Sequence, residues 1–430
     1  MQAPIDSLTF LFMSAYLLQN IATGRIFTDE GWTLSDPEYS QSTLIRTIYQ
    51  KKQLTLKEER YGFYRFADWL PVKRFLAHST PPVTFRSQEL AKRLGLENLY
   101  ITFNGWWPER GALMETCSFK ETEAYSACGR LDGNVGKTLV VASAGNTARA
   151  FARICSDNHI PLLLCVPQSN IDTLWFGRPI HKCVRLVCTP PGSDYFDAIR
   201  LSNTICSLEG FLEEGGAKNI ARRDGMGTTV LSAATHIGVI PDYYVQAVGS
   251  GTGAIAAWEA NLRLLEDGRF GKSVMKLITV QNHPFVPMYE AWNRGSRSLF
   301  PTDSNTACRQ LLEIEAKVLS NRQPPYAISG GLFDALTATK GGMCSVTNQE
   351  IAQASALFEE TEGIDIHPAA AAALAGLRKE MATGKIDKKK IIMLNITGGG
   401  EKLYKKGRKL YHLQPELILD ADTPLEALPL

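Results

Sequence analysis

The sequence predicts an α/β fold built on parallel sheets. Three observations carry that reading. Short, continuously apolar runs recur along the chain: Lys137–Ala142, Pro161–Val166, Val184–Cys188, Tyr243–Val248, Lys276–Gln281 and Ile391–Asn395. Stretches of helical period stand between them, such as Ser87–Leu94, Asn146–Cys155 and Ala254–Leu265. Several of the runs end in glycine-rich or small-residue loops, where parallel sheets place their ligands.

Taken in order, residues 1–70 read as an N-terminal β-hairpin segment and linker. Phe10–Leu18 and Arg25–Leu34 flank a turn at Ala22-Thr23-Gly24, as in a small antiparallel sheet. The run Leu8–Leu18 is too short to span a bilayer, and Asp6 stands where a signal peptide carries a base, so a buried strand is expected. The polar stretch Gln41–Arg60 is expected to form a helix and a linker. From Pro71 the alternation begins. Ser87–Leu94 is an amphipathic helix with a capping serine, Leu99–Phe103 a strand and Glu121–Ala127 helical. The runs named above then follow one another to Asn395.

The 430 residues suggest two or three domains. Lys and Arg total 46 against 44 Asp and Glu, a balance of +2 that leaves no footprint for nucleic acid or an anionic membrane. Nine cysteines are scattered without a C-x-x-C pair, which fits free thiols in a reducing, cytoplasmic setting. The seven histidines are dispersed, with no H-E-x-x-H, so no metal site is expected.

Four loops can carry chemistry. Gly249-Ser250-Gly251-Thr252-Gly253 follows a strand and opens a helix, which suits a phosphate held by backbone N–H groups. No Lys follows it, which argues against a triphosphate, and no acid ends a second strand about 20 residues on, which argues against a dinucleotide. Ser143-Ala144-Gly145-Asn146-Thr147 is a second strand-to-helix loop, where Asn146 is either an N-cap or a ligand clamp. Thr116-Cys117-Ser118-Phe119-Lys120 sets a lysine at a helix start, against the helix dipole; alone, such a lysine is ordinarily a solvated charge. Asn395–Gly400 ends in three glycines after the last strand.

The ordered set of loops resembles the fold-type-II pyridoxal-phosphate enzymes, the family of threonine synthase and the cysteine synthases. Phe85–Tyr100 followed by Ser118-Phe119-Lys120 is similar to threonine synthase. The likeness is closer to the cysteate synthase family of coenzyme M biosynthesis. It rests on Trp107–Ala112, Thr116–Glu121, Ala142–Thr147, Glu214–Asn219, Ala221–Thr228, Gln246–Gly253, Ala257–Ala260, Phe285–Met288, Arg322–Tyr326 and Glu362–Ile366, and covers the chain from about residue 62 onward. Gln19–Gly24 departs from it, standing without cysteine where such enzymes tend to carry a small Cys-containing knuckle.

The resemblance implies a tryptophan synthase β-like fold with two parallel-sheet domains and a small N-terminal β segment. Residues 71–120 with 236–430 would form the large cofactor domain, and 121–235 a small mobile α/β domain. It implies pyridoxal phosphate held by Lys120 as a Schiff base, with Asn146 on its ring oxygen, residues 249–253 (Gly249, Ser250, Gly251, Thr252, Gly253) on its phosphate and Thr397 at its ring nitrogen. It implies β-replacement through an α-aminoacrylate, with O-phospho-L-serine and sulfite as substrates and Lys120 as the base. Ser143, Ala144, Gly145 and Thr147 would bind the substrate carboxylate. Lys218, Arg222 and Arg223 are the best cationic cluster for phosphate and sulfite, ahead of Arg110 and Arg322. Relatives of this kind are often homodimers. Another nucleophile, or threonine synthase acting on O-phosphohomoserine, stays open, as does a silent ligand-binding relative.

Overall fold

The computed structural model describes residues 15–131, 136–143 and 145–428. The chain opens with a three-stranded antiparallel sheet, order β2-β1-β3, made by β1 (Tyr16–Asn20), β2 (Ile26–Phe27) and β3 (Ile45–Tyr49). The turn between β1 and β2 lies where the sequence places it, while Phe10–Ser14 fall outside the described residues. The helix expected in Gln41–Arg60 is absent. β3 occupies that stretch because Ile45, Thr47 and Tyr49 face inward while Arg46 and Ile48 alternate against them. A kinked 3₁₀ segment, Glu59–Trp69, follows and buries Phe63, Tyr64, Phe66 and Trp69.

The middle of the chain builds the rest in order: β4 (Val83–Arg86), α1 (Glu89–Leu94), β5 (Asn98–Phe103), β6 (Trp106–Trp107), β7 (Ala112–Leu113) and α2 (Lys120–Arg130). Then come β8 (Thr138–Ala142), α3 (Asn146–Asp157), β9 (Leu162–Pro167), β10 (Trp175–Phe176), β11 (Val184–Thr189), α4 (Tyr195–Ile205), β12 (Phe211–Glu213) and α5 (Ile220–Ile237). The last part holds β13 (Tyr243–Ala247), α6 (Thr252–Asp267), β14 (Lys276–Asn282), α7 (Pro287–Asn293), α8 (Ser304–Glu313) and α9 (Leu332–Ala338). It closes with β15 (Gly342–Val346), α10 (Asn348–Glu362), α11 (Pro368–Ala382), β16 (Ile391–Ile396), α12 (Glu401–Lys405), β17 (Tyr411–His412) and β18 (Leu417–Ile418).

Two sheets dominate. The larger has order β15-β14-β13-β16-β5-β4, with all neighbours parallel except the β4–β5 edge pair. The smaller, β12-β8-β9-β11-β18, is parallel throughout. Their central strands are apolar on both faces, as sheets covered by helices require: β9 is buried along its whole length. The alanine-rich α11 lies across the larger sheet, where small side chains allow close approach, while α3, α2, α5 and α6 pack in succession between the sheets. β17 and β18 return to the smaller unit: β18 extends its sheet beside β11 and β17 pairs with β10. Among the described residues no helix is long and apolar enough to cross a membrane.

Candidate active site

The loops after β8, β13 and β16 meet the start of α2 at the carboxyl ends of both sheets, around a cavity of about 130 Å³. Lys120, Ser143, Gly145, Asn146, Thr147, Gly249, Ser250, Gly251, Gly253, Thr397 and Arg222 all line it. Ala144 lies outside the described residues.

Local geometry explains each position. The lysine loop is stitched to the loop after β16: Phe119 N donates to Thr397 O at 3.0 Å, Gly399 N donates to Cys117 O at 3.1 Å, and Ser118 bridges Gly398. This approach needs glycine, because a Cβ at Gly398 would sit 2.4 Å from His367 Nδ1 and 2.8 Å from Cys117 O. The stitching fixes Lys120 as the first residue of α2, facing the cavity. Asn146 is not the N-cap of α3: Gly145 holds that position, and the Ser143 hydroxyl accepts from Gly145 N at 3.1 Å and Ala148 N at 3.0 Å. Asn146 instead opens the helix, and its Oδ1 accepts from Arg149 at 2.9 Å. That bond fixes the amide so that its NH₂ group remains the free donor. Arg149 is itself held by Thr116 O and Thr173 O at 2.8 and 2.9 Å. The N-terminal turn of α6 opens on the opposite wall through Gly251 and Gly253. Thr252 does not line the cavity, although its hydroxyl pairs with that of Ser250 at 2.8 Å.

A buried ion network supports the lysine. Lys120 Nζ lies 3.0 Å from Glu123 Oε2. Glu123 also accepts from Arg222 Nε and a terminal Arg222 nitrogen, each at 3.1 Å, and from Thr147 Oγ1 at 2.9 Å. Arg222 reaches Glu214 at 2.6 Å with its other arm. Burial pushes the Lys120 amine below its usual value, opposed by the charge of Glu123. Burial pushes Glu123 the other way, but Arg222 and Lys120 outweigh it and hold the carboxyl below its usual range. Glu214 is raised by burial against the pull of Arg222.

Sequence reasoning missed Glu123, Glu214, Tyr195, Gln246 and His367. Tyr195, Gln246 and His367 line the cavity. Of the three cations grouped from the sequence, only Arg222 reaches it. Lys218 is exposed and does not line the cavity. Arg223 is fully buried elsewhere, 3.0 Å from Glu259 and bonded to the carbonyls of Ala217 and Ile45. Arg110 stacks on Phe85 and Trp107, and Arg322 pairs with Asp194 at 2.8 Å.

A family model described as pyridoxal-phosphate dependent enzyme matches residues 82–398. The chain belongs to the pyridoxal-phosphate-dependent enzyme family. Its cofactor is pyridoxal phosphate. Among curated relatives, the cysteate synthase of Methanosarcina acetivorans is 46% identical over 97% of this chain and 100% of its own length. That of Methanocorpusculum labreanum is 48% identical over 92% and 95%. Maize serine racemase has the same fold, with a TM-score of 0.56 at 14% identity, over 76% of this chain and 91% of its own. The cavity suits the cofactor's groups: an amine at Lys120, a fixed amide donor at Asn146, a helix N-terminus for a phosphate and a neutral hydroxyl at Thr397.

Proposed function

We propose that this enzyme makes L-cysteate and phosphate from O-phospho-L-serine and sulfite. The observation that carries the reading is the likeness to cysteate synthases along nearly the whole chain. The cavity's chemistry supports it.

Lys120 would hold pyridoxal phosphate through Nζ, Asn146 would bond its ring oxygen, residues 249–253 would hold its phosphate, and the Thr397 hydroxyl would face its ring nitrogen. When bound, the cofactor supplies the electron sink that makes a substrate Cα–H acidic and allows a β-substituent to leave. The chain's own residues do the rest. Lys120 Nζ takes the α-proton and later returns it to Cα. Its lowered pKa keeps a neutral amine available, and Glu123 pairs with the ammonium once the proton has arrived. In the 143–147 loop Ser143 N donates to Cys165 O and Gly145 N to the Ser143 hydroxyl, so the substrate carboxylate docks on the N–H groups of Asn146 and Thr147 at the start of α3. Arg222, oriented by two carboxylates, meets the departing phosphate and then sulfite, since a guanidinium fork matches both oxyanions. The Cβ–O bond breaks with its electron pair going to phosphate. The sulfur lone pair of sulfite then forms the Cβ–S bond. Phe119, Val318 and Leu319 wall the cavity and exclude water, which would compete with sulfite. The segment 121–235 would close over the substrate, and the reaction would run in the cytoplasm, where free thiols persist.

Holoenzyme given O-phospho-L-serine and sulfite should release phosphate and L-cysteate in equal amounts. Phosphate release from O-phosphohomoserine alone, with threonine formed, would contradict the proposal.

A further inference from the structure

A second cavity, of about 220 Å³, lies between β3 and the C-terminal half of α6, and shares no lining residue with the first. Arg46, Lys51, Lys52 and Arg263 line it, with Glu259 and Glu266. Most of these charges are matched. Lys51 pairs with Asp68 at 2.6 Å, Lys52 with Glu266 at 2.9 Å and Arg223 with Glu259 at 3.0 Å. Arg263 pairs with Asp224, which also accepts from Thr47 at 2.8 Å and Tyr49 at 2.6 Å.

Arg46 is the exception. Among the described residues it forms no ion pair, and its Nε is buried without a hydrogen-bond partner. Its guanidinium lies 5.3 Å from the centroid of the Trp258 ring. Burial lowers its pKa, Glu259 opposes that, and the nearby Arg223 and Arg263 charges add to it. Three guanidiniums thus share two carboxylates, Glu259 and Asp224. On the same cavity, Glu259 Oε1 is buried and also lacks a partner. Water can satisfy both orphan atoms but cannot neutralise the excess charge, which the partly buried Arg46 presents to the cavity.

We propose that this cavity is a second binding site for a small oxyanion that also carries a hydrogen-bond donor. The oxyanion pairs with Arg46, and the donor meets Glu259 Oε1. Hydrogen phosphate and the sulfonate of an amino acid both have this chemistry. The site lies apart from Lys120, so a ligand there acts on the enzyme through α6, whose N-terminal turn lines the first cavity.

The test is calorimetric titration of the holoenzyme with inorganic phosphate, beside Arg46→Gln holoenzyme. The variant should lose one binding component, weakening it roughly tenfold or more, as expected for a lost charge-assisted pair. Its visible cofactor band should be unchanged, which establishes that it folds. Superimposable isotherms would overturn the proposal. Wild-type crystals soaked in arsenate give a test that needs no variant: anomalous density between Arg46 and Arg263 supports the site, and density only at the Lys120 cavity, or none, overturns it. Displacement of that arsenate by L-cysteate would assign the sulfonate as the ligand; retention against L-cysteate would assign phosphate.

Discussion

Lys120 and Glu123 lie one turn apart on α2, and their 3.0 Å contact opposes the desolvation that lowers the pKa of the amine. Glu123→Gln removes the charge that opposes desolvation, so the Lys120 pKa falls further. The acidic limb of the pH profile for cofactor capture by the apoenzyme should then move to lower pH; an unmoved limb would deny Glu123 this role. Glu121 next door gives a separate pH effect. Burial raises its carboxyl from 4.5 to about 7, with Thr116 N donating to it at 2.7 Å. The folded state therefore favours the protonated form. That contribution is full below pH 4.5 and is lost as pH rises through about 7, on the order of 3 kcal/mol in all. Glu121→Gln keeps the acceptor, so it should melt at a higher temperature than wild type at pH 8 and at the same temperature at pH 4. Lys120, Asn146 and Thr397 stand out in the sequence through the ordered set of loops and the family resemblance it carries, since the Lys120 loop alone reads as a solvated charge. Glu214, Tyr195, Gln246 and His367 carry no such mark, since only tertiary placement brings them to the cavity. Glu123 has a local signal, its i,i+3 spacing from Lys120. Arg222 and Arg223 could also have been separated, because neighbours on a helix point about 100° apart.

The strands that hold the site, β8, β13 and β16, are legible as apolar runs because they are buried on both faces. β3 is not, because its two-residue alternation sits between polar flanks that suit a helix as well. The loop after β16 shows how tightly these elements meet. Gly400 has φ +73°, and a Cβ there would lie 1.8 Å from Trp106 O. Gly400→Ala must move one backbone segment off the other, beyond the roughly 1–3 kcal/mol of an unfavourable φ alone. It should lower the melting temperature and loosen the Lys120 loop stitched to Gly398 and Gly399, read as faster loss of the cofactor band on dilution. A variant as stable and as cofactor-tight as wild type would mean that this loop contact does not position Lys120.

At the scale of the molecule, the site belongs to neither sheet alone. The 143–147 loop follows a strand of the smaller sheet, the 249–253 loop and Thr397 follow strands of the larger, and the Lys120 loop is stitched to the loop that carries Thr397. Arg322 ties the two units together: it pairs with Asp194, the N-cap of α4, at 2.8 Å and bonds Ser304 of α8 at 2.9 Å. Arg322→Ala should raise KM for the amino-acid substrate more than it lowers kcat. Overall stability should change by no more than about 1 kcal/mol, as for a partly exposed pair. An unchanged KM would separate this contact from the cavity mouth. The return of β17 and β18 to the smaller unit is illegible in the sequence, because two-residue strands take their shape from partners more than 200 residues away. The alternation of strands and helices, by contrast, declares the α/β class without help. A visible spectrum of the holoenzyme tests most directly whether Lys120 and its cavity run a β-replacement on O-phospho-L-serine. The cofactor band should shift on adding O-phospho-L-serine and recover on adding sulfite, with L-cysteate formed, while Lys120→Ala should show neither change. A wild-type band that ignores O-phospho-L-serine yet shifts with another activated amino acid would contradict the account.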